Sequence, residues 1–437
     1  MRIAVLFPCL FLCACASYAP KALDVASLGA PALSVLPDGD LLPAALDHNP
    51  AVAAARASYE AARHDRDAQK RLPPMTLTLI QEYSKDADAQ KPWLYTEQLD
   101  VPLDVGARRA GRITTADIAV DKARYALGAA LWTTRQALRQ AQSDLDFARA
   151  TVTLDQQLVA TRSAYRDSVD TSVAAGEDIR ANADQARLDL SAAQQALRQA
   201  EATRDQAEMA LARALDATPA AAHAWQGSPP AMSAIDDAQI DALTAKAPFV
   251  RSDVHTAVTD YATTENELRL AIAGQYPDIH LAPGYTWERG VVKLPLNWTL
   301  TLPPTDLNRA NIQAATARRA AAGKTLEDTV KAAQAEIAQA ASAWRADDAA
   351  ADRATHDDAP LAAAMAARAE HGARAGEASR GEALLAHIVE LDAQATALAA
   401  QQTALNDRLK LEDALRQPLA ANDATVLSAA LSPDPHK

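Results

Sequence analysis

Cysteine is scarce in this sequence and is confined to its start. The chain of 437 residues has three cysteines, Cys9, Cys13 and Cys15, and no cysteine follows them. A mature chain that begins at Cys15 can form no internal disulfide, so its stability has to come from packing and assembly. The same absence leaves no Cys/His spacing of the kind that binds structural zinc.

Other shortages narrow the class of protein. Aromatic residues make up 4 % of the chain, whereas the apolar fraction is 49 % and is carried mainly by Ala and Leu. This composition favours helices that pack through small side chains over a globular core of large ones. The net charge of -13 disfavours nucleic-acid binding. No run of 18 or more apolar residues occurs, so the sequence predicts no membrane-spanning helix.

Residues 1–14 are predicted to be a lipoprotein signal peptide. Arg2 supplies a positive charge, Ile3 to Leu12 is a short apolar run, and "LCAC" places small residues before a cysteine. This order resembles the bacterial lipoprotein signal, in which that cysteine, here Cys15, is acylated and becomes the first residue. The alternative is an ordinary cleaved signal with incidental cysteines.

Two long proline-free stretches predict long helices. They hold 116 residues between Pro102 and Pro219 and 55 residues between Pro304 and Pro360. Apolar residues recur in both at a spacing of seven, at Leu131, Leu138, Leu145, Val152 and Val159 and at Val330, Ile337, Trp344 and Ala351. Such spacing is typical of helices that supercoil left-handedly around a partner. The first stretch predicts a helix over about 112–173, roughly 90 Å long.

The chain repeats itself at a period of about 200 residues. Pro50 and Pro248, each beside an Ala-rich helical segment, are 198 residues apart, and the glycines of "GEDI" and "GEAL", Gly176 and Gly381, are 205 apart. The order helix, β-hairpin, long helical hairpin therefore occurs twice. The predicted segments are a linker 15–40, a first repeat 41–218, a linker 219–235, a second repeat 236–417 and a tail 418–437.

Four stretches of about ten residues alternate between apolar and polar side chains, two in each repeat. Their apolar faces comprise Met75, Leu77, Leu79 and Tyr83; Trp93, Tyr95, Leu99, Val101 and Leu103; Ile279, Leu281, Pro283, Tyr285 and Trp287; and Leu294, Leu296, Trp298, Leu300 and Leu302. This length and alternation suit strands that cross a bilayer, with aromatic rings at the interfaces. The strand pattern alone leaves a second interpretation open, in which two soluble hairpins have one face covered by the helices.

The number of strands constrains the membrane interpretation. Four strands are too few to close a membrane barrel, which needs about eight. An open edge in lipid would leave backbone groups unpaired. If these strands lie in a membrane, several chains must therefore contribute strands to one barrel.

Over about 41–415 the chain resembles the TolC-like outer-membrane efflux proteins. "LPPTDLNRANI" is similar to the family's junction between a strand and the long helix, and "VPLDVGARRAGRI" is similar to its first-repeat version. "AGEDI" and "RGEAL" resemble the glycine at the tip of each helical hairpin. The sequence departs from the family pattern at Ala310, where Gly is usual, and it places Pro295 inside a strand and Pro360 inside the second long helix.

The resemblance implies both a fold and an assembly. It implies a mostly α chain with a small β part, in which three copies form an α-helical barrel that continues a twelve-stranded transmembrane β-barrel. It implies a homotrimer in the bacterial outer membrane that works with a periplasmic adaptor and an inner-membrane transporter, as the exit duct of a tripartite efflux pump. The lipoprotein signal matches the acylated branch of this family, and the tip and junction motifs look most like its heavy-metal-resistance branch.

A duct needs a docking surface, a lumen and a surface that contacts the membrane, rather than a catalytic group. The resemblance assigns adaptor docking to the hairpin-tip residues Gly176, Glu177, Gly381 and Glu382. Candidate acids of a pore constriction are Asp170, Asp178 and Asp184. The strand-to-helix junctions comprise Pro102, Gly106, Pro303, Asp306, Asn308 and Arg309. The membrane-interface aromatics comprise Trp93, Tyr95, Tyr285, Trp287 and Trp298. A plainer interpretation makes the tips ordinary helix ends and the acids solvated surface charges.

No residue pattern predicts a cofactor, a metal site or an enzyme. "HDD" at 356–358 is the only compact His/carboxylate cluster, and a metal site needs three or four converging ligands. We therefore expect a transport duct, with a lipid-anchored periplasmic coiled-coil scaffold without a pore as the alternative. The scaffold accounts for the seven-residue spacing, the acidity and the signal, but not for four alternating strands placed identically in two repeats.

Overall fold

The fold is mostly helical, as predicted. The computed structural model describes residues 18–21, 29–37, 39–85, 92–103, 107–228, 235–420 and 422–431. Helix accounts for 73 % and strand for 10 %, which confirms a mostly α chain with a small β part. The signal peptide with Cys15, and Gly106 of the first junction, lie outside the described residues.

The first repeat has the predicted order of elements. Its bounds are α1 (Leu42–His48), α2 (Pro50–Gln69), β1 (Thr76–Tyr83), β2 (Trp93–Pro102), α3 (Ala107–Ala175) and α4 (Arg180–Ala214). Asn49 caps the start of α2, because its side-chain oxygen accepts hydrogen bonds from the N–H groups of Ala51 and Val52. Pro50 follows at the first helical position, where a missing N–H leaves no helical bond unmade.

The second repeat follows in the same order. Its bounds are α6 (Asp237–Lys246), α7 (Ser252–Ala273), β3 (Asp278–Glu288), β4 (Val291–Lys293), β5 (Leu296–Thr301), α8 (Arg309–Arg353), α9 (Ala359–Ala375) and α10 (Arg380–Leu415). Pro248 lies in a short 3-10 turn, Ala247–Phe249, before α7. The predicted linker contains α5 (Pro219–Ala224), and the predicted tail contains α11 (Asp423–Leu431).

The long helices form one layer. Away from the strands, α4 packs on α3, α3 on α10, and α10 on α8 and α9. Nearer the strands, α2 packs on α3, α3 on α7, and α7 on α8. Seven of the nine residues that define the seven-residue spacing are buried, namely Leu131, Leu138, Leu145, Val152, Ile337, Trp344 and Ala351, whereas Val159 and Val330 are half-buried. Helices α4 and α9 therefore stand at the two free edges of the layer.

Pro360 interrupts the second long helix, whereas α3 of the first repeat is unbroken. Helix α8 ends at Arg353, Ala354–Asp358 form a π-helical turn, and α9 begins at Ala359. A proline has no N–H, and its ring clashes with the carbonyl group four residues earlier. The wider turn removes this conflict, because the Ala359 N–H donates to the carbonyl oxygen of Ala354.

The strands form one antiparallel sheet in the order β1–β2–β3, and both β4 and β5 pair with β3. The pairs Thr286↔Lys293 and Pro283↔Leu296 keep the same register. Strands β4 and β5 are therefore two pieces of one strand position, the fourth. The prediction of four strand positions is confirmed, with an interruption at Pro295.

Gly284 lies opposite the interruption. Its N–H donates to the carbonyl oxygen of Pro295 at 2.8 Å, but Pro295 has no N–H to return. A Cβ at position 284 would lie 3.0 Å from the carbonyl oxygen of Glu97 and 3.2 Å from the Pro295 ring. The absence of a side chain at 284 therefore lets the sheet pass the proline without a clash.

Short elements form what we term the belt, which consists of residues 29–37 with α1, α5, α6 and α11. The larger of two apolar clusters joins the belt to α3 and α4 through Leu41, Leu42, Leu46, Leu138, Leu145 and Leu211. The smaller cluster joins it to α8 and α10 through Ile240, Ile337, Trp344 and Leu411. The belt thus holds the long helices together at about the middle of their length.

One described helix has the length and composition of a membrane span. In α10, an 18-residue window reaches a mean hydropathy of 1.2, and 17 % of that window is buried. This is weak support for a span, because α10 is one arm of a helical hairpin and packs on α3. The sequence-based expectation of no continuous apolar run is unaffected.

Candidate functional site

The sheet has two free edges and an exposed apolar face. Among the described residues, β1 pairs only with β2, and β4 and β5 pair only with β3. On this face of the edge strands, large apolar side chains are more than half exposed, among them Leu77, Leu79, Tyr83, Leu296, Trp298 and Leu300. A contiguous apolar surface of this kind marks contact with a membrane or with another protein.

The unpaired backbone groups of the edges lie on the residues with these apolar side chains. The Ser84 N–H donates to the carbonyl oxygen of Pro92, so the even-numbered residues of β1 bond to β2 and the odd-numbered ones face the free edge. The Gly284 to Pro295 bond likewise directs the even-numbered residues of β5 to the opposite edge. The two edges run in opposite directions, so they are complementary for antiparallel pairing between copies.

Three of the five predicted interface aromatics, Trp93, Tyr95 and Trp287, form a ladder with Tyr83 at the end of the sheet remote from the helices. Ring centroids are 5.0 Å apart for Tyr83 and Trp93, 6.1 Å for Trp93 and Tyr95, and 5.8 Å for Tyr95 and Trp287. The other two predicted aromatics, on the same face and nearer the helices, are Tyr285 and Trp298. Aromatic rings near both ends of an apolar face are typical of the two interfaces of a membrane.

The opposite face of the sheet is mostly polar, although Ile80 and Val291 also lie on it. The Nδ1 atom of His280 lies 3.0 Å from a carboxylate oxygen of Asp100. The hydroxyl groups of Thr96 and Thr286 lie 3.2 Å apart. In a closed barrel with its apolar face outward, these side chains would face the interior.

Asp306 and Asn308 build the second strand-to-helix junction. The Asp306 carboxylate accepts hydrogen bonds from the N–H groups of Asn308 and Ala310, at 3.0 and 3.2 Å. Asn308 has the left-handed φ of 61°, and its side-chain amide donates to the Ala271 carbonyl oxygen near the end of α7, at 2.8 Å. The other two predicted residues of this junction, before and after the turn, are Pro303 and Arg309.

The first junction makes an equivalent contact with different residues. Pro102 ends β2. Arg109 donates to the Lys70 carbonyl oxygen at 3.1 Å, and Arg112 donates to that of Gln69 at 2.9 Å. These arginines donate to carbonyl oxygens at the C-terminal end of α2, just as Asn308 donates to a carbonyl oxygen near the C-terminal end of α7. Sequence analysis missed them, although "ARRAGR" at the start of a long helix was a visible signal.

The structure places the turn glycines at Gly176 and Gly376. Both have left-handed backbone conformations, with φ values of 76° and 78°, and both directly follow the first arm of a hairpin. Gly381, the predicted turn glycine of the second hairpin, lies inside the first turn of α10. The repeat period at the tips is therefore 200 residues, and the motif equivalent to "AGED" is "AGEA" rather than "RGEA".

The predicted tip glutamates have different roles. Glu177 follows the turn glycine, and its N–H donates to the carbonyl oxygen of Ser172 at 2.9 Å. Glu382 forms a capping box with Ser379 at the start of α10. The backbone N–H and then the hydroxyl of Ser379 lower the pKa of Glu382 by hydrogen bonding.

The three candidate constriction acids are engaged near the first tip. Arg187 bridges Asp170 at 2.8 Å and Asp184 at 3.1 Å. Asp178 accepts hydrogen bonds from the Ile179 N–H and the Asn182 side chain, each at 2.7 Å. The structure thus brings Asp170 and Asp184 to one arginine, whereas Asp178 belongs to the turn.

A buried charged cluster escaped the sequence analysis. Arg135 on α3 donates to Glu412 at 2.5 Å and to Asp423 at 2.8 Å, and all three side chains are at most 1 % exposed. Arg139, one helical turn later, also contacts Asp423 and bonds to Asp40 at 3.0 Å. This cluster ties the two repeats to the N- and C-terminal parts of the belt. No local pattern joins residues that lie almost 300 positions apart.

Metal coordination has no geometric support in the described part of the chain, where no three His, Cys, Asp or Glu side chains converge. His356 of "HDD" instead pairs with Asp352 at 2.9 Å, one helical turn away on the exposed surface.

Comparison with known proteins confirms the resemblance inferred from sequence. The model of the outer membrane efflux protein family matches residues 41–217, which is nearly the whole first repeat. That family comprises efflux channels and not enzymes. No curated protein sequence matches the chain.

Solved outer-membrane channels have the same fold. The channel OprN superposes with a TM-score of 0.72 at 19 % identity, over 87 % of this chain and 90 % of that one. VceC from Vibrio cholerae superposes with a TM-score of 0.70 at 17 % identity, over 87 % and 96 %. CmeC from Campylobacter jejuni gives a TM-score of 0.70 at 14 % identity, over 90 % and 88 %. At these identities the likeness concerns the fold.

Proposed function

We propose that this chain is the outer-membrane exit duct of a tripartite efflux pump. It would pass substrates from a periplasmic adaptor and an inner-membrane transporter to the outside. One observation carries the proposal, namely that a sheet with an exposed apolar face and two complementary free edges is joined directly to long helical hairpins. The 69 residues of α3 would extend roughly 100 Å at about 1.5 Å per residue, far enough to form a tube beyond the membrane.

Three copies would complete the duct. Four strand positions in each chain supply twelve, enough for a barrel with an open interior. Pairing β1 of one copy with β5 of the next satisfies both free edges and places every apolar face outward. The edge helices α4 and α9 would meet in the same order and continue the barrel as a helical tube.

The N-terminus would be anchored by a lipid on Cys15. The linker joins the belt where Ala32 donates to the Asp216 carbonyl oxygen at 2.8 Å. The 17 residues from Cys15 to Ala32 can reach about 60 Å when extended. Leu138 of α3, which packs in the same apolar cluster as the belt, is 31 residues from Ala107 at the strand end of this helix, or roughly 47 Å. The linker is therefore long enough to reach the membrane.

The hairpin tips would dock the adaptor. Gly176 and Gly376 hold equivalent left-handed turns, and Glu177 and Glu377 follow them as equivalent acids. A charged bulky residue such as Gly176→Arg should weaken crosslinking to the adaptor while trimers persist. Unchanged crosslinking and efflux would contradict the tip assignment.

The competing function is a lipid-anchored periplasmic scaffold without a pore. It accounts for the helical layer and the belt but gives the exposed apolar sheet no partner. Purified protein should give heat-modifiable trimers from the outer-membrane fraction and single-channel conductance in planar bilayers. A monomeric protein that is released from membranes by salt would contradict the duct.

Lipidation is tested separately. The Cys15→Ala variant should lose incorporation of labelled palmitate, because no other cysteine follows residue 15. Labelling that persists would contradict acylation at this position. The heavy-metal-resistance branch stays a prediction, supported by the tip and junction motifs, and metal tolerance of cells that carry or lack the gene would test it.

A further inference from the structure

The helical layer has one face covered by the belt and one uncovered face. Residues two positions apart on a helix point about 200° apart, which allows the faces to be told apart. On α3, Arg139 contacts the belt residue Asp423, whereas Ala137 lines a cavity. On α8, Arg345 bonds to Asp237 of the belt, whereas Ala343 lines the same cavity.

Helix α10 follows the same rule. Glu412 belongs to the buried cluster beneath the belt, whereas Lys410 lines the cavity. The cavity therefore opens on the face opposite the belt, between α3, α8 and α10. A tube with the belt on its outside would turn this face to its lumen.

The cavity is large enough for a small organic molecule, with a volume of about 760 Å³. Part of its wall is apolar and consists of Ala137, Ala340, Ala343 and Leu409. Polar side chains complete the lining, among them Gln136, Gln339 and Asp407. Nine of the thirteen lining residues are polar or charged, so the cavity combines an alanine-rich patch with many groups that can hydrogen-bond or pair with a charge.

Two carboxyl groups meet beside the cavity. Asp407, which is 7 % exposed, is within hydrogen-bonding reach of Asp347 on α8. Ionised carboxylates only accept hydrogen bonds, so two of them in contact require a proton or a cation between them. The hydrogen bond with Asp407, together with desolvation, raises the pKa of Asp347 above its ordinary value.

The chain already places one ammonium group at this position. The Nζ atom of Lys410 lies 2.6 Å from Oδ1 of Asp407. The other ion-pair acids of the lining have their own partners, because Glu336 bonds to Arg251 and Asp413 bonds to Arg416. Lys410 supplies one positive charge to the two carboxylates of Asp347 and Asp407, so this pair keeps one net negative charge that a further cation would neutralise.

We propose that this cavity binds organic amines, with the ammonium group between the carboxylates of Asp347 and Asp407 and the apolar part against the alanine wall. As a statement about what the duct transports, the inference rests on the proposed function. Binding of an amine to the isolated protein does not depend on that function, so the amine site and the duct can be contradicted separately.

The test is equilibrium binding of dansylcadaverine, a fluorescent primary amine, to the full-length protein in detergent. We expect saturable binding that weakens at least about tenfold in Asp347→Asn, and a comparable loss in Ala343→Phe, which fills the cavity from an exposed position. Asp352→Asn is the matched control, because it removes an exposed carboxylate of α8 outside the cavity. Its affinity should equal that of the unmodified protein.

A neutral analogue separates ammonium recognition from apolar partition. N-acetylated dansylcadaverine should bind at least about tenfold more weakly than the amine. Equal binding of the two probes would overturn the proposal, as would unchanged affinity in Asp347→Asn or an equal loss in Asp352→Asn. Amine binding without channel conductance would support the amine site and contradict the duct. Channel conductance without amine binding would support the duct and contradict the amine site.

Discussion

The two repeats have the same order of elements but differ in how each is held at the belt. In the first repeat, α3 is a single helix, and the belt covers it with a large apolar cluster and the buried Arg135 cluster. In the second, the long helix breaks before Pro360, and the belt contributes a smaller apolar cluster. The chain termini explain the difference, because residues 29–37 and α11 both pack on the first repeat.

The strand hairpins differ in a similar way. The second repeat turns tightly at Arg289 and Gly290, both with positive φ, and its last strand is interrupted at Pro295. The first repeat has two uninterrupted strands. Both repeats therefore keep the alternation that sets the apolar face, but they differ in local features such as the tight turn and the interruption at Pro295.

The largest expected effect concerns the buried arginines of the two halves. Arg135→Ala would leave Glu412 and Asp423 without their cation in a fully buried site, and we expect a loss of about 3–5 kcal/mol of unfolding free energy. Arg251→Ala is the matched variant in the second repeat. Its partners Asp253 and Glu336 are 43 % and 48 % exposed, so water can replace much of the interaction.

For Arg251→Ala we expect a smaller loss of about 1–2 kcal/mol. Thermal unfolding followed by circular dichroism in detergent checks both variants. Equal midpoints of the two variants would remove the contrast drawn between the repeats.

Proline provides the second test. Ala160 is the first-repeat equivalent of Pro360 at the 200-residue period of the tips. Ala160→Pro should cost about 3 kcal/mol, because α3 has no wide turn to accept it. Pro360→Ala should change stability by less than about 1 kcal/mol, because the helical chain only regains one hydrogen bond. Similar destabilisation by both variants in thermal unfolding would contradict the assignment of the π-helical turn to Pro360.

Acid should weaken both halves, because arginine partners outweigh burial and lower the pKa of Asp423 and, in the second repeat, that of Asp253. Burial alone would raise the pKa of Asp423, but hydrogen bonds and charge from Arg139 and Arg135 outweigh it and hold this pKa below the ordinary 3.8. A depressed carboxyl pKa stabilises the fold above 3.8 and ceases to do so as pH falls through the folded value. The first-repeat belt should therefore loosen as pH decreases below about 4.

The Asp423→Asn variant isolates this contribution. It should be less stable at neutral pH and should lose stability less steeply in acid than the unmodified chain. Unfolding midpoints measured from about pH 5 to about pH 2 test the expectation. An unchanged slope in the variant would show that other carboxyl groups govern acid unfolding.

The smallest effect distinguishes the two glycines of the second tip. Gly376→Ala should cost about 1 kcal/mol, because alanine strains at the φ of 78°. Gly381→Ala should be neutral or stabilising by up to about 1 kcal/mol, since the nearest atom to an added Cβ is 3.8 Å away. The reverse order of midpoints would restore Gly381 as the turn residue.

Periodicity predicted most of this fold. The spacing of Leu131, Leu138 and Leu145 identified the helical layer, and the alternation of the strands identified their apolar face. Gly381 was misassigned because "GE" occurs twice near the second tip and the sequence alone does not set a backbone dihedral angle. The Arg135 cluster and the Asp347–Asp407 pair depend on contacts between distant elements, which no local pattern encodes.

The central claim is that copies of this chain close a barrel by pairing β1 of one copy with β5 of the next. Disulfide scanning tests it directly, because no cysteine other than the one predicted to be acylated would remain in the mature chain. With Leu79→Cys fixed on β1, single cysteines at successive positions from 296 to 300 should crosslink neighbouring copies only at even-numbered positions, giving covalent dimers and trimers. Equal crosslinking at odd and even positions, or monomers throughout, would contradict the claim.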